Sequence, residues 1–213
     1  MAGDESLPCR IVFGGFHGDE PKSVDLAGRL IELLRASQHD ETGQDEANAA
    51  VGYNPADLRW VVFPVVNPDG LDIRNRRNAR KVDINRNFPT ENFEVGIRRS
   101  RMFGGSAPAS EPETRAVIKL VERCRPASII TIHSISGNRF CNNYDGPGKT
   151  LAAAMKRRNG YPVVPSIGYP TPGSFGAWAG LERNIPTITL ELPSHHSGKR
   201  CWADNRNALL CRA

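Results

Sequence analysis

The chain has 213 residues, enough for one domain or two small ones, and a composition of 39% apolar and 24% charged residues supports a buried core and excludes wholesale disorder. Its apolar runs fall well short of the roughly 20 residues that cross a bilayer, and Met1-Ala2-Gly3-Asp4-Glu5-Ser6 lacks the basic and apolar stretches of a secretory leader, so a cytoplasmic protein without membrane association is expected. A net charge of +5 favours anionic ligands and is too mild to single out nucleic acid.

Ile11-Val12-Phe13, closed by Gly14-Gly15, predicts a buried strand. A helix is expected from Pro21 to Ala36: proline suits the first turn, and Val24, Ala27, Ile31 and Leu34 recur on one face. Gln38 to Asp57 is polar and reads as a surface loop. Leu58 to Val66 is a second, apolar strand, ended by the turn signal Asn67-Pro68-Asp69-Gly70. From Leu71 to Ala109 apolar periodicity gives way to Arg, Asn and Gly, a long irregular stretch of the kind that carries function. Ser110-Glu111-Pro112-Glu113 reads as a capping box opening a helix through Arg123, with Val117, Leu120 and Val121 inward. Ser128 to Ile132 is a strand, Leu151 to Arg158 a helix, Pro186 to Leu192 a last buried strand and Ala203 to Cys211 a short helix. Strand and helix alternate, so the class is α/β with a largely parallel sheet covered on both faces. The five cysteines have no Cys-x-x-Cys spacing and read as reduced thiols, neither a disulfide framework nor a thiolate zinc site.

The residues that carry chemistry sit at strand ends. His17 and Glu20 follow the first strand and can turn an imidazole and a carboxylate toward one point. His133 closes the strand Ser128–Ile132 and is the natural third ligand of a zinc site, with an open position left for water. Glu191 interrupts the apolar strand Thr187–Leu192, where an unpaired carboxylate is costly unless it works. In an open parallel sheet the carboxyl ends gather along one edge, where ligands bind. Two His and one Glu for zinc, plus a second Glu as base, make a hydrolytic zinc set. Each residue alone has a bland reading as a satisfied core or surface group, and His39, His195 and His196 read as surface or loop histidines.

Arg86, flanked by Asn85 and Asn87, offers a planar fork for a carboxylate. Arg74, Arg76, Arg77, Arg80 and Lys81 crowd the same segment, and Phe88 is the one aromatic between Arg74 and Asn92, so a small anionic substrate explains the charge better than single-stranded nucleic acid does. A basic rim built from these residues is expected.

Taken in order, His17-Gly18-Asp19-Glu20, Asn67-Pro68-Asp69-Gly70, Val82-Asp83-Ile84-Asn85-Arg86-Asn87-Phe88-Pro89, Ile132-His133-Ser134 and Thr189-Leu190-Glu191 resemble the zinc metallocarboxypeptidases of the carboxypeptidase A type. Gly105-Ser106 through Ser110-Glu111-Pro112-Glu113-Thr114, and Ser166 through Gly176, add a resemblance to the murein peptide amidase branch of that family. The resemblance implies a single zinc carboxypeptidase-like domain over residues 1–213, an α/β/α sandwich with a mostly parallel, mixed sheet, one Zn2+ per chain and cleavage of the γ-D-glutamyl–meso-diaminopimelate bond of recycled cell-wall peptides. Residue by residue it implies zinc on His17, Glu20 and His133, Glu191 as general base and acid, Arg76 at the oxyanion, Asn85 and Arg86 on the substrate's terminal carboxylate, and Tyr169 as the mobile tyrosine. Two departures stand out. Only sixteen residues precede His17, implying either a sheet shortened at the N-terminus or a misassigned start codon, and Lys81 replaces the family's usual glycine before Val82-Asp83. A peptide metallocarboxypeptidase, an N-acyl amino-acid deacylase of the aspartoacylase or succinylglutamate desuccinylase type, and a zinc-free binder of cell-wall peptides are the competing readings.

Overall fold

The computed structural model describes residues 6–39 and 57–212. Six strands form one sheet in the order β2-β1-β3-β6-β4-β5. They are β1 (Cys9–Phe13), β2 (Arg59–Phe63), β3 (Ser128–Ile135), β4 (Cys141–Asp145), β5 (Val163–Val164) and β6 (Thr187–Pro193). β1, β2, β3 and β6 run parallel, and β4 pairs antiparallel with β6. The α/β class with a mixed sheet therefore holds. The strands β4 and β5, of which the sequence gives no clear signal because Asn142, Asn143 and Tyr144 break the apolar run, are what make the sheet mixed.

Among the described residues five α-helices accompany it: α1 (Pro21–His39), the single turn α2 (Pro68–Asp72), α3 (Pro112–Cys124), α4 (Lys149–Asn159) and α5 (Gly198–Leu210). Alternation along the strands sorts the core into two layers. Val12, Ile130, Ile132, Ile188 and Leu190 pack with Leu26 and Leu30 of α1, Leu151 and Met155 of α4 and Leu209 of α5. On the other face Ile11, Phe13 and Ile129 pack with Val117 and Val121 of α3 and with Ile84, Phe88, Phe175 and Trp178 from irregular segments. His133 and Glu191 share parity with Ile129, so both project from this second, irregularly covered face.

Several boundaries move. The first helix runs three residues past Ala36. β2 stops at Phe63 because Pro64 has no amide for the ladder, and Asn67–Gly70 starts a helical turn, with Asn67 Oδ1 accepting from the Gly70 amide at 2.9 Å. The capping box does not form. Glu111 is the N-cap of α3 without a side-chain bond, and the Ser110 hydroxyl instead accepts from Asn87 Nδ2 (2.9 Å) and donates to Glu111 Oε1 (2.7 Å). β3 continues to Ile135, so His133 lies within the strand instead of closing it. α4, β6 and α5 run over Lys149–Asn159, Thr187–Pro193 and Gly198–Leu210, each somewhat longer than or offset from its expected span. Most of the loop expected from Gln38 to Asp57 lies outside the described residues. The segment from Ile73 to Ser110 is irregular as expected, apart from a 3-10 turn at Ile84–Arg86. All five cysteines are free and buried.

Candidate active site

β1 ends at Phe13, and the chain turns through Gly14-Gly15 toward the carboxyl edge of the sheet. That loop is pinned by Gly14 N to Phe63 O (2.9 Å) and by the Val66 and Asn67 amides to Gly14 O and Gly15 O (3.1 and 2.8 Å). His17 then follows, and Gly18 packs directly on Gly70: a Cβ at Gly18 would lie 1.9 Å from the Gly70 carbonyl carbon. The two glycine-bearing motifs thus meet backbone to backbone, and buried Asn67 ties them, its Nδ2 donating to Phe16 O (3.4 Å) and Arg76 O (3.3 Å).

His17, Glu20 and His133 converge, with one donor atom from each within 4.8 Å of the others. His17 Nδ1 lies 2.8 Å from Glu20 Oε1, His133 Nδ1 lies 3.1 Å from Glu20 Oε2, and the two Nδ1 atoms face each other at 3.2 Å. Two ring nitrogens and a carboxylate turned inward are a donor set that a single cation satisfies at once, and imidazole plus carboxylate matches zinc. The far nitrogen of His17, Nε2, meets Asp83 Oδ1 at 3.0 Å, and Asp83 Oδ2 accepts from Arg76 Nε at 2.9 Å. This is the carboxylate–histidine pairing that fixes tautomer and ring orientation at metal sites. Ser134 N donates to Glu20 Oε2 at 3.0 Å, holding that carboxylate, and Phe16 stacks on His133 with ring centroids 5.6 Å apart.

Electrostatics follow burial and pairing. Burial would raise the Glu20 carboxyl, but His17 and His133 hold it well below the usual carboxylate range. Burial also opposes ionisation of Asp83, and Arg76 and His17 reverse that, so its carboxyl stays ionised. Burial opposes a proton on His133 and lowers it. Glu191 pairs in register with His133 across β3 and β6. At 6% exposure it is buried, and burial together with the Glu20 charge pushes it up to about 8.

A cavity of about 790 Å³ opens here, and all eight predicted site residues line it: His17, Glu20, Arg76, Asn85, Arg86, His133, Tyr169 and Glu191. Asn85 is set by its Oδ1 accepting from Phe175 N at 2.8 Å. Arg86 is 3% exposed and gives Nη1 to Asn85 O at 2.5 Å, but its buried Nε has no partner among the described residues. A buried guanidinium with an idle donor beside a cavity is prepared for an anion. Gly173 backs it, since a Cβ there would lie 2.2 Å from Arg86 O. Tyr169 is 38% exposed on the cavity wall.

The basic rim is composed differently from the expectation. Arg76, Arg86, Arg101 and Arg139 line the cavity, whereas Arg74, Arg77, Arg80 and Lys81 do not. Arg77 turns away to Ser100 O at 3.2 Å. Two residues that position the site escaped the sequence reading, Asp83 and Asn67; both lie inside motifs singled out above, and pairing each with a specific partner needed coordinates. Asp145, on the floor of the cavity, gave no signal. His195 is exposed and His196 half-buried in a turn beyond β6, as expected of loop histidines, and the side chain of His39 lies outside the described residues.

A family model described as zinc carboxypeptidase matches residues 6–199. The chain belongs to the zinc carboxypeptidase family, and it is a hydrolase of the α/β type that this family defines. Murein peptide amidase A of Escherichia coli (strain K12) is 32% identical over 194 residues, covering 86% of this chain and 70% of that protein. The crystal structure of murein-tripeptide amidase from Escherichia coli O157 superimposes with a TM-score of 0.70 at 27% identity, over 98% of this chain and 82% of that one. Thrombin-activatable fibrinolysis inhibitor shares the fold, with a TM-score of 0.76 at 18% identity over 98% of this chain and 61% of its own.

Proposed function

We propose that this hydrolase cleaves the γ-D-glutamyl–meso-diaminopimelate bond of murein peptides, using one zinc held by His17, Glu20 and His133. The observation that carries the reading is the buried, half-idle Arg86 fork facing the same cavity as the His–Glu–His cluster and Glu191. Such a pairing suits an amide next to a free carboxylate. Four arginines on the cavity wall suit a substrate with several carboxylates, and the likeness to murein peptide amidase A supports that substrate class over others.

When bound, zinc supplies Lewis acidity that makes water a nucleophile near neutral pH. Glu191, raised by burial toward neutrality, takes the water's proton and returns it to the leaving amine. Arg76, steadied by Asp83, presents its remaining guanidinium donors where negative charge develops on the carbonyl oxygen. Asn85 and Arg86 hold the terminal carboxylate and so fix the amide in place, and Tyr169 is the residue of the exposed wall suited to cover the bound substrate. The partner is thus a small anionic peptide, with no part for nucleic acid or a membrane. No described helix is long and apolar enough to cross a membrane. Five free, buried thiols support a reducing, cytoplasmic setting and a role in murein peptide recycling. Residues 1–213 act in this reading as one catalytic domain.

The test is a parallel assay of the purified zinc protein on L-Ala-γ-D-Glu-meso-diaminopimelate, on blocked peptides ending in Phe or Arg, and on N-acetylaspartate and succinylglutamate. The tripeptide is expected to be the best substrate, with a rate that falls as salt is added and about one zinc per chain by metal analysis. A better rate on an N-acyl amino acid or a Phe-ended peptide overturns the murein reading. A zinc-free, inactive protein overturns the enzyme.

A further inference from the structure

Glu111 is a buried carboxylate that the chemistry above leaves unused. It stands at the N-cap of α3 without a side-chain capping bond, and it does not line the catalytic cavity. Burying a carboxylate is costly unless its oxygens are paired. Here both are. Oε1 accepts from the Ser110 hydroxyl at 2.7 Å and Oε2 accepts from Asn78 Nδ2 at 2.8 Å, while the Glu111 amide donates to Asn87 Oδ1 at 3.0 Å.

The two asparagines bracket the segment that carries the arms of the site. Asn78 is buried, its Oδ1 accepts from the amides of Arg80 (3.1 Å) and Val82 (3.0 Å), and its own amide donates to Val82 O at 2.9 Å. It thereby closes the turn 78–82. Arg76 precedes that turn, Asp83 follows it, and the two meet again where Arg76 Nε donates to Asp83 Oδ2. Lys81 sits in the turn at a φ of +65°, a conformation that a residue other than glycine keeps only where its surroundings over-determine it. At the other end Asn87 directly follows Arg86 and is wholly buried. Its Nδ2 is shared among Gly104 O (2.7 Å), Ala107 O (3.0 Å) and Ser110 Oγ (2.9 Å). The Glu111 side chain therefore reaches Arg76 through Asn78, and Arg86 through Ser110 and Asn87.

We propose that Glu111 is a positioning residue for both arginines, fixing Arg76 beside the reacting carbonyl and Arg86 on the substrate's terminal carboxylate. The inference rests on the roles given to those arginines above and deepens them. A buried polar network is rigid only while every member is satisfied, so removing its central acceptor loosens both ends. The two ends differ in what they do. Arg76 acts on charge that develops in the transition state, so its displacement lowers kcat; Arg86 grips a carboxylate present throughout, so its displacement raises KM. Glu113 Oε1 and Oε2 each lie 3.3 Å from Asn78 Nδ2, so Asn78 keeps one acceptor when Glu111 is lost and the effect is partial.

The experiment measures steady-state kinetics of the zinc holoenzyme on whichever peptide proves best in the assays above. Asn78→Ala is expected to lower kcat about tenfold with KM within about threefold, and Ser110→Ala to raise KM with kcat within about threefold. Glu111→Ala is expected to do both. Glu111→Gln keeps an oxygen for Asn78 and offers an N–H that the Ser110 hydroxyl accepts, so it should restore both constants to within about threefold. Melting temperatures and zinc content check that each variant is folded and loaded. Unchanged kinetics in folded Glu111→Ala, or a Gln variant as impaired as the Ala variant, overturns the proposal. Should Glu111→Ala not fold, the split between Asn78→Ala and Ser110→Ala carries the test, and identical changes in those two overturn it. Arg76→Ala and Arg86→Ala test the reading beneath. If the first lowers kcat and the second raises KM while the Glu111 variants are silent, only the positioning falls. If Arg76→Ala leaves kcat and Arg86→Ala leaves KM unmoved, the roles of the arginines fall, and the proposal with them.

Discussion

Two walls of one cavity are built in opposite ways. On the β1–β3 side the side chains are each held at least twice: His17 touches Glu20 and Asp83, Asp83 also grips Arg76, and Glu20 is fastened by His133 and the Ser134 amide. On the β4 side the Asp145 carboxylate has no hydrogen-bond or ion-pair partner among the described residues, Tyr169 stands partly in solvent and the glycines at 176 and 180 leave space. The first wall has its hydrogen bonds in place, whereas the second leaves the Asp145 carboxylate open to water or a ligand. Chemistry common to many substrates needs the former; discrimination among them needs the latter, because a group already satisfied cannot tell one ligand from another.

The sharpest way to break this division is at Glu191, where the two walls meet. Glu191→Gln preserves shape and removes the proton acceptor, so turnover should fall ~10²–10⁴-fold while zinc content stays at the wild-type level. Near-normal turnover in steady-state assays would leave the base unassigned. Asp83→Asn comes next. It touches neither water nor substrate, and its effect should appear as a ~10–100-fold weaker zinc affinity in competition with a chelator. Unchanged affinity would mean that the first wall is not held through its second layer of contacts.

The third prediction concerns the permissive wall and pH. Asp145 has a folded-state pKa of about 6, above the ordinary 3.8, so the folded protein holds that proton more tightly than the unfolded chain. The stability it contributes is present below about pH 4 and is lost as pH rises through about 6. Asp145→Asn should therefore be relatively more stable at pH 7 than at pH 4, by on the order of 2 kcal/mol after allowance for partial exposure. Denaturant titrations of both proteins at the two pH values measure it; parallel curves would place Asp145 in water. The smallest effect is at Lys81, whose φ of +65° lies in the left-handed region. Lys81→Gly relieves that strain but gains chain entropy in the unfolded state, leaving a net stabilisation of about 0.5–1 kcal/mol in urea midpoints. A loss of stability would show that the lysine side chain is held by contacts that outweigh its backbone.

How much of this was legible in the sequence divides along the same line. The candidate ligands His17, Glu20 and His133, the candidate base Glu191 and Arg86 all sit in short motifs, and the order of those motifs along the chain was enough to bring them to one cavity. The reversed strand β4 was not legible: Asn142 and Asn143 are buried through bonds to Tyr161 O and Val164 O, a tertiary arrangement that overrides strand propensity. Without β4 there was no floor to the cavity, and hence no reason to notice Asp145. The basic rim was assigned by nearness in sequence, yet Arg101 and Arg139 reach the cavity from distant segments while Arg74, Arg77, Arg80 and Lys81, only a few residues from the clamp, point elsewhere. The capping box failed because Asn87, brought in from the irregular segment, donates its Nδ2 to the Ser110 hydroxyl and accepts at Oδ1 from the Glu111 amide (3.0 Å).

The five buried thiols give the chain its own reporters of local opening. Burial raises Cys9 to about 11 and Cys141 to about 12, so neither reacts appreciably as thiolate while the fold is closed. Cys141 lies opposite Glu191 on the β4–β6 ladder, and Cys9 starts β1 at the far end of the sheet from the site. Alkylation followed residue by residue therefore times the separation of β4 from β6 against the fraying of β1. Should the β4 wall of the cavity breathe more readily than the rest, Cys141 will be labelled first, and a ligand that occupies the cavity will slow that one thiol while leaving the labelling of Cys9 where it was.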